Sequence, residues 1–448
     1  MATTRDNVIA SAAIAGGATL LSALLLAENQ DLASLVGSAV GLLPVFFAAY
    51  FFYPSVTRLA KKPDLSFILI LTVYYGFGIF PLTTYRGYID ELMWMSVLAC
   101  AIASFLLGRS ISGAVSYKKD KDVTVQLRSS FASLIILISA LCAGWIIANH
   151  GLVLFNPEAR FGISAKISYL VELAIPAVIA KFCYELSVHG RFRWKMATLP
   201  AMTFLILLSL GYRNQPILLV LGLLLPTLIA IPAGSRLLQY RTPFALLVPV
   251  VMFLFGISYL VRTNNSTGRT LDWEAMIREY SVVLPEFTLP YVPLHLASRE
   301  GMGVAEASIE RLDSLTDYVQ RSWFFFSDFL TMLPGYSMTS GRVLGVVVNG
   351  REDSSLTPSI LGGLMIGYGM WGVIVFFLIT GAIFSYLVRR HAASHDPRTL
   401  AALSVFFIYM LELMNRGIFK PMYIIAMTLT FFLFKQKRKA KSSNEVCN

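Results

Sequence analysis

LGYRNQPILLVL, residues 210–221, sets one arginine, Arg213, between two apolar runs at 196–211 and 215–233, with only a few residues to turn the chain. Runs near 20 residues are long enough to cross a bilayer. The stretch therefore predicts two membrane-crossing helices joined by a tight turn. Arg at the bilayer core costs roughly 2.5–3.5 kcal/mol on insertion scales, so the turn belongs at a membrane surface. Which surface it faces decides what Arg213 does.

The rest of the chain supports a membrane reading. Its 448 residues are 56% hydrophobic and 14% charged, with a mean hydropathy of +0.66; soluble domains carry about 25% charged residues. The net charge is +11 and the pI about 9.4, but the basic residues fall mostly between apolar runs. That makes the charge topological and leaves no nucleic-acid-binding signature. Cys100, Cys142 and Cys183 lie in apolar runs and Cys447 in the tail, without metal-ligand spacing. The apolar stretch from about Val8 reads as a retained first span.

Candidate spans fall near 8–27, 32–53, 65–83, 92–108, 131–149, 167–186, 196–211, 215–233, 243–261, 359–388, 400–414 and 421–434. With the N-terminus inside, the inner segments collect twenty-two Lys and Arg and the short outer loops six, and the two sets alternate throughout. The expected fold is an all-α polytopic membrane protein of about twelve transmembrane helices, with both termini cytoplasmic. Residues 1–262 carry spans 1–9 and residues 263–356 form one large helical loop outside. Residues 357–434 carry spans 10–12, and 435–448 form a basic cytoplasmic tail. The large loop holds seven Arg, no Lys and twelve Asp or Glu. Arg in preference to Lys suits bidentate recognition of phosphate or carboxylate, although an exposed domain also needs surface charge. WFFFSDFL, residues 323–330, is too apolar for a free surface and is expected on the membrane or over the bundle.

Arg213 then lies outside, just before a helix N-terminus, where anions are favoured. It either snorkels to the interface or meets an anionic substrate. Arg416, in LMNRGIFKPM, repeats the arrangement between spans eleven and twelve. In SSLTPSILGGLMIGYGMWGVIVFF, residues 354–377, Thr357 and Pro358 open a helix lined by Gly362, Gly363, Gly367, Gly369 and Gly372. These glycines serve close helix packing or make room for a lipid or sugar chain.

These features together resemble the Wzy-type O-antigen polymerases, which join oligosaccharide repeat units in bacterial envelopes. Gly211-Tyr212-Arg213-Asn214 is similar to the family's Ser-Arg-Gly segment, with Asn in place of Gly after the arginine. Glu286-Phe287 resembles the Glu-Phe segment of the large loop. Thr357-Pro358-Ser359 with Gly369 and Gly372 resembles the Pro-Ser and Gly-x-x-Gly segment, and Arg416-Gly417 a late Arg-Gly segment. The related O-antigen ligases carry a His where this chain has Asp353, Ser354 and Thr357, which favours polymerase over ligase.

The resemblance implies a glycosyltransferase of the bacterial inner membrane with its active site facing the periplasm. It would transfer a glycan from undecaprenyl pyrophosphate to the non-reducing end of a new lipid-linked repeat unit, without cofactor or metal. Its partners would be that lipid-linked oligosaccharide, membrane lipid and a chain-length regulator. A pyrophosphate leaving group needs cations: Arg213, Arg416, Arg262, Arg269 and Arg278 are the candidates, with Thr357 and Ser359 beside them. Deprotonating the acceptor hydroxyl needs a carboxylate: Glu286 is the first choice and Asp353 the second. A secondary transporter is the main non-enzyme alternative. Among ionisable residues inside spans it has Glu172, Lys181 and Glu412 to draw on, but no pair of similar halves.

Overall fold

A computed structural model of the chain describes residues 62–113, 123–153, 162–190, 193–210, 214–230, 278–283, 288–333, 339–351 and 355–438. It is 82% helical. The expected spans at 8–27, 32–53 and 243–261 lie outside those residues, as do Arg213, Arg262, Arg269, Glu286 and Asp353.

The helices are α1 (Pro63–Ile79), α2 (Glu91–Gly113), α3 (Ser129–His150), α4 (Ala165–Glu172), α5 (Ala174–His189), α6 (Thr198–Ser209), α7 (Asn214–Ala230), α8 (Thr288–Glu310), α9 (Leu312–Thr316), α10 (Ser340–Asn349), α11 (Ser359–Ser394), α12 (Pro397–Arg416) and α13 (Pro421–Phe432). Each of the nine expected spans within the described residues coincides with helix. Five stretches are long and apolar enough to cross a membrane: Glu91–Ser112, Ser129–His150, Lys166–His189, Ser359–Ser394 and Pro397–Arg416. Four shorter apolar helices, Pro63–Ile79, Lys195–Ser209, Asn214–Ile229 and Pro421–Phe432, take the other positions. The exposed apolar side chains are consistent with a lipid surrounding. On α3, Leu134, Leu137, Leu141 and Trp145 are all exposed. Such a patch is a liability in water and is at home in hydrocarbon.

Helix α12 is the centre. It starts on an Asp396 cap, whose carboxylate accepts from Thr399 N at 2.7 Å, with Pro397 in the first turn. Almost every residue from Thr399 to Met414 is buried, and α5, α7, α11 and α13 pack around it. Helix α2 runs along α11, and here backbone meets backbone. A Cβ on Gly108 would stand 1.9 Å from Leu378 O, and one on Gly381 2.1 Å from Phe105 O. Small residues allow such approach between spans. Phe67, Phe105 and Phe384 fill the space beside the contact. Helix α11 is broken at Gly369, whose backbone (φ 64°, ψ −156°) only glycine adopts without strain. Ser359–Tyr368 is thus a separate leg set at an angle on the longer helix.

One end of the bundle holds the Asp64–Arg109 ion pair and an antiparallel pair of strands, β1 (Val123–Leu127) and β2 (Phe434–Arg438), with Val123 opposite Arg438 and Leu127 opposite Phe434. This two-stranded pair is the one departure from helix among the described residues of an otherwise all-α membrane fold, and it takes in the first residues of the stretch expected as a basic tail, 435–448. VTVQL is rich in β-branched residues, and the chain leaves α13 beside it: Arg128 N donates to Leu433 O at 2.8 Å. The ladder satisfies backbone groups that neither segment satisfies alone.

At the other end α8 lies over the α1–α2 connection. Arg299 donates to the carbonyls of Tyr85 (2.9 Å), Gly87 (2.8 Å) and Gly78 (3.3 Å). Glu306 accepts from Asp90 N (2.9 Å) and Trp94 Nε1 (3.2 Å), holding the first turn of α2. His295 is fully buried. Its Nδ1 bonds Phe77 O and its Nε2 lies 2.9 Å from Thr83 Oγ1, a network that fits a neutral ring with its proton on Nδ1. WFFFSDFL forms a 3₁₀ segment, Arg321–Met332, that packs over the bundle with Phe324 and Phe325 buried.

Two expectations follow. Gly381→Leu drives a side chain into backbone that no rotamer change can clear. It should cost at least about 3 kcal/mol and abolish a monodisperse peak in detergent size-exclusion, whereas Gly76→Leu, at a position with open space around it, should not. Burial, reinforced by the Arg299 charge, pushes the His295 pKa from 6.5 down to about 4, against the pull of the Phe77 carbonyl. Above pH 6.5 docked and undocked forms are both neutral there. Between 6.5 and 4 only the undocked form takes the proton, so docking weakens as pH falls, by about 3 kcal/mol at pH 4. Hydrogen exchange of α8 should rise across that window and stay flat in His295→Gln.

Candidate active site

The end of the bundle beneath α8 and the 3₁₀ segment brings two of the sequence motifs together. Helix α12 ends at Arg416, and Gly417 follows with φ 71°. A Cβ on Gly417 would lie 1.9 Å from Ser359 O, and one on Gly363 1.8 Å from Gly417 O. The Arg-Gly turn is therefore seated in the first turn of α11, and glycine is needed twice over at Gly417, for conformation and for space. Ser359 is fully buried and takes φ 58°, a left-handed conformation uncommon for a serine. Tyr75 Oη accepts from Leu361 N at 3.2 Å and lies 3.4 Å from Met414 O. Tyr74 Oη donates to Asn415 Oδ1 at 2.8 Å. Two tyrosines of α1 thus hold both motifs in register. Thr357 is half-buried just before this turn.

Under the turn lies a buried group of charges. Glu412 Oε1 is 2.9 Å from Arg416 Nε and 2.9 Å from Lys420 Nζ. The Glu412 side chain is 1% exposed, that of Lys420 10% and that of Arg416 30%. An anion arriving from outside the bundle meets Arg416 first, while Glu412 stays covered. Glu172, at the end of α4, is buried and accepts from Gln215 Nε2 at 2.7 Å. It lies within electrostatic range of Lys420, Glu412 and Arg416. Asp328 of the 3₁₀ segment also acts on Arg416 and accepts from Ser340 Oγ at 2.7 Å and Ser340 N at 3.2 Å. The rings of Tyr409 and Tyr423 lie 5.2 Å apart, tilted to one another, beside the group, and among the described residues their hydroxyls find no hydrogen-bond partner.

Charges this deep persist only when paired. Glu412 pairs with both Arg416 and Lys420, and Glu172 and Asp328 lie within range, giving a pre-positioned cluster with one cation at its mouth. An anion at that mouth would meet donors already held in place.

Of the sequence candidates, Arg416 and Ser359 meet here. Arg278 belongs to another connection: its segment is tied to the α1–α2 loop through Tyr280 O to Thr84 N (2.8 Å) and Val283 N to Leu82 O (3.0 Å). Glu172, Gln215, Asp328, Glu412 and Lys420 were not among the expected site residues. The i, i+4 spacing of Glu412 and Arg416 is the signal that finds the central pair; nothing local announces Asp328.

Glu412→Gln leaves two cations with no carboxylate between them. It should lower stability by about 3–5 kcal/mol, read as thermal unfolding in detergent. Glu412→Gln with Lys420→Met should recover part of that loss, because the double change removes a buried charge along with its partner.

No curated protein and no solved structure matches the chain. The motif stretch around Arg213 lies inside the region that a family match covers, and the Arg416 and Ser359 motifs lie beyond it. Residues 61–278, just under half of the chain, match the model of the family described as Putative O-antigen polymerase, the family that the sequence motifs resemble.

Proposed function

We propose that this chain polymerises O-antigen or related polysaccharide repeat units at the outer face of a bacterial inner membrane. Twelve spans with both termini cytoplasmic would place Arg416, Ser359 and residues 263–356 on the periplasmic side. The charge asymmetry of the loops supports that orientation. So does the gathering of Arg109, Arg128, Lys435, Lys437 and Arg438 at the opposite end of the bundle. The observation that carries the reading is the meeting of the Arg416-Gly417 turn with the Ser359 turn over a buried charge cluster, in a chain that matches the family over 61–278.

The chemistry follows from the residues. The acceptor hydroxyl of a new repeat unit attacks the anomeric carbon of the donor glycan. A C–O bond forms there as the bond to undecaprenyl pyrophosphate breaks, and the pyrophosphate leaves with the electron pair. Its growing charge would be met by Arg416, with Lys420 behind it and Arg213 as the expected second arginine, since Gln215, two residues on in sequence, already reaches Glu172. Arg262, Arg269 and Arg278 are further candidates. The hydroxyl proton passes to a carboxylate, with Glu286 the first choice and Asp353 the second. Positive side chains take the part a divalent metal plays elsewhere. A chain-length regulator is the expected protein partner.

The ionisable residues within spans support this over transport. Glu172 and Glu412 join one cluster at span ends. Lys181 stands nine residues from Glu172, roughly 14 Å along the helix, so the three do not line up as a path.

The test is genetic. Deleting the gene in its host should convert the lipopolysaccharide ladder on a silver-stained gel to core plus a single repeat unit. The wild-type gene should restore the ladder, while Arg416→Ala and Glu286→Ala should lower polymer at least tenfold with the protein still present in the membrane. Core alone in the deletion would mean a ligase, and an unchanged ladder would remove O-antigen assembly altogether.

A further inference from the structure

Beside the 3₁₀ segment lies an open groove that the proposed chemistry does not use. One part, about 460 Å³, is lined by Gln320, Arg321, Ser322, Gly367 and Tyr368. A second part, about 250 Å³, is lined by Tyr318, Val319, Gln320, Trp323 and Leu330. Gln320 joins the two. The first part is lined mostly by polar residues and the second presents aromatic faces, with Tyr318 47% and Trp323 55% exposed.

The walls are fixed rather than loose. Arg321 Nε donates to Ile366 O at 2.8 Å, and Tyr368 Oη donates to Ser322 O at 2.6 Å. These bonds tie the 3₁₀ segment to the last turn before the Gly369 break, so the break shapes the groove. A Cβ on Gly369 would meet nothing within 4 Å, which leaves that side open.

We propose that this groove holds the glycan of a lipid-linked repeat unit, away from the bond being made. A pyranose ring has an apolar C–H face and a rim of hydroxyls. Exposed Trp and Tyr faces suit the former, and Gln320, the other guanidinium nitrogens of Arg321 and the segment's backbone suit the latter. A lipid chain would leave the polar half unmatched, and a free anion would leave the aromatic half unmatched. Position supports the assignment. Seven residues of 3₁₀ helix separate Asp328, at the charge cluster, from Arg321, on the order of 14 Å at 2.0 Å per residue. A glycan of a few sugars whose reacting end is at Arg416 therefore extends into the groove. This assignment rests on the polymerase reading for its biological meaning, but binding can be tested apart from it.

The probe is polysaccharide released from the host's own lipopolysaccharide by mild acid and freed of lipid. It is titrated onto the full-length protein in nanodiscs, and saturation-transfer NMR reads contact with sugar protons. The wild type should bind saturably. Trp323→Ala with Tyr318→Ala should weaken binding at least tenfold, and Trp323→Phe, which keeps a flat face, should stay within about threefold. In cells the alanine pair should shorten the ladder while Arg416→Ala removes it. Absence of wild-type binding, or equal binding by the alanine pair, overturns the proposal, as does displacement of bound glycan by phospholipid alone. If binding follows the expected pattern but deleting the gene leaves the ladder intact, the polymerase reading fails and the glycan site stands.

Discussion

A single buried carboxylate, Glu412, holds two cations in place within a hydrophobic bundle. In hydrocarbon neither Arg416 nor Lys420 could remain where it is without that partner, and neither could Glu412 without them. The pairing dictates much around it. Helix α12 must be central to shield Glu412. The chain must turn at Gly417 so that Lys420 can fold back onto it. The first turn of α11 must come within backbone contact of that turn to close the cluster from outside. The glycines at 363 and 417 and the strained Ser359 are the local consequences of this closure.

The same end of the bundle is tied together by hydrogen bonds between elements. Helix α8 clamps the α1–α2 connection through Arg299 and Glu306, and α1 in turn holds both site motifs through Tyr74 and Tyr75. Remote binding energy is useful in catalysis only if it is transmitted without slack. Here the chain from α8 to the Arg416 turn runs through hydrogen bonds between helices. Under the proposed chemistry, a charge developing at Arg416 would meet donors already oriented, which is the condition under which electrostatic stabilisation is largest.

Much of this was legible in the sequence. Apolar runs near bilayer length located the described spans, because length and hydropathy are imposed by the membrane itself. Arg416, Ser359 and Gly363 could be picked out because an arginine and a glycine-rich turn at a span end break a strong pattern. The cluster beneath them was harder to see. Glu172 and Glu412 stood out only as ionisable residues in spans, and their partnership depends on how α4, α7 and α12 pack. Lys420 read as an ordinary loop lysine. Strand β2 was hidden because FKQKR has the composition of a cytoplasmic tail, and only its partner VTVQL has strand character. The 3₁₀ groove was equally hidden: Trp323 fell in the apolar WFFFSDFL stretch, and nothing local announces that Arg321 and Ser322 are tied to Ile366 and Tyr368.

The most direct test of the account is reconstitution. Purified protein in liposomes would be given undecaprenyl-pyrophosphate-linked single repeat units in the presence of a metal chelator, and lipid-linked products separated by length. The account predicts glycans of two, three and more repeat units, with one undecaprenyl pyrophosphate released for each linkage formed, and no elongation by Arg416→Ala protein that is otherwise folded. Elongation that proceeds unchanged in Arg416→Ala, or wild-type protein that never extends the single unit, would contradict it.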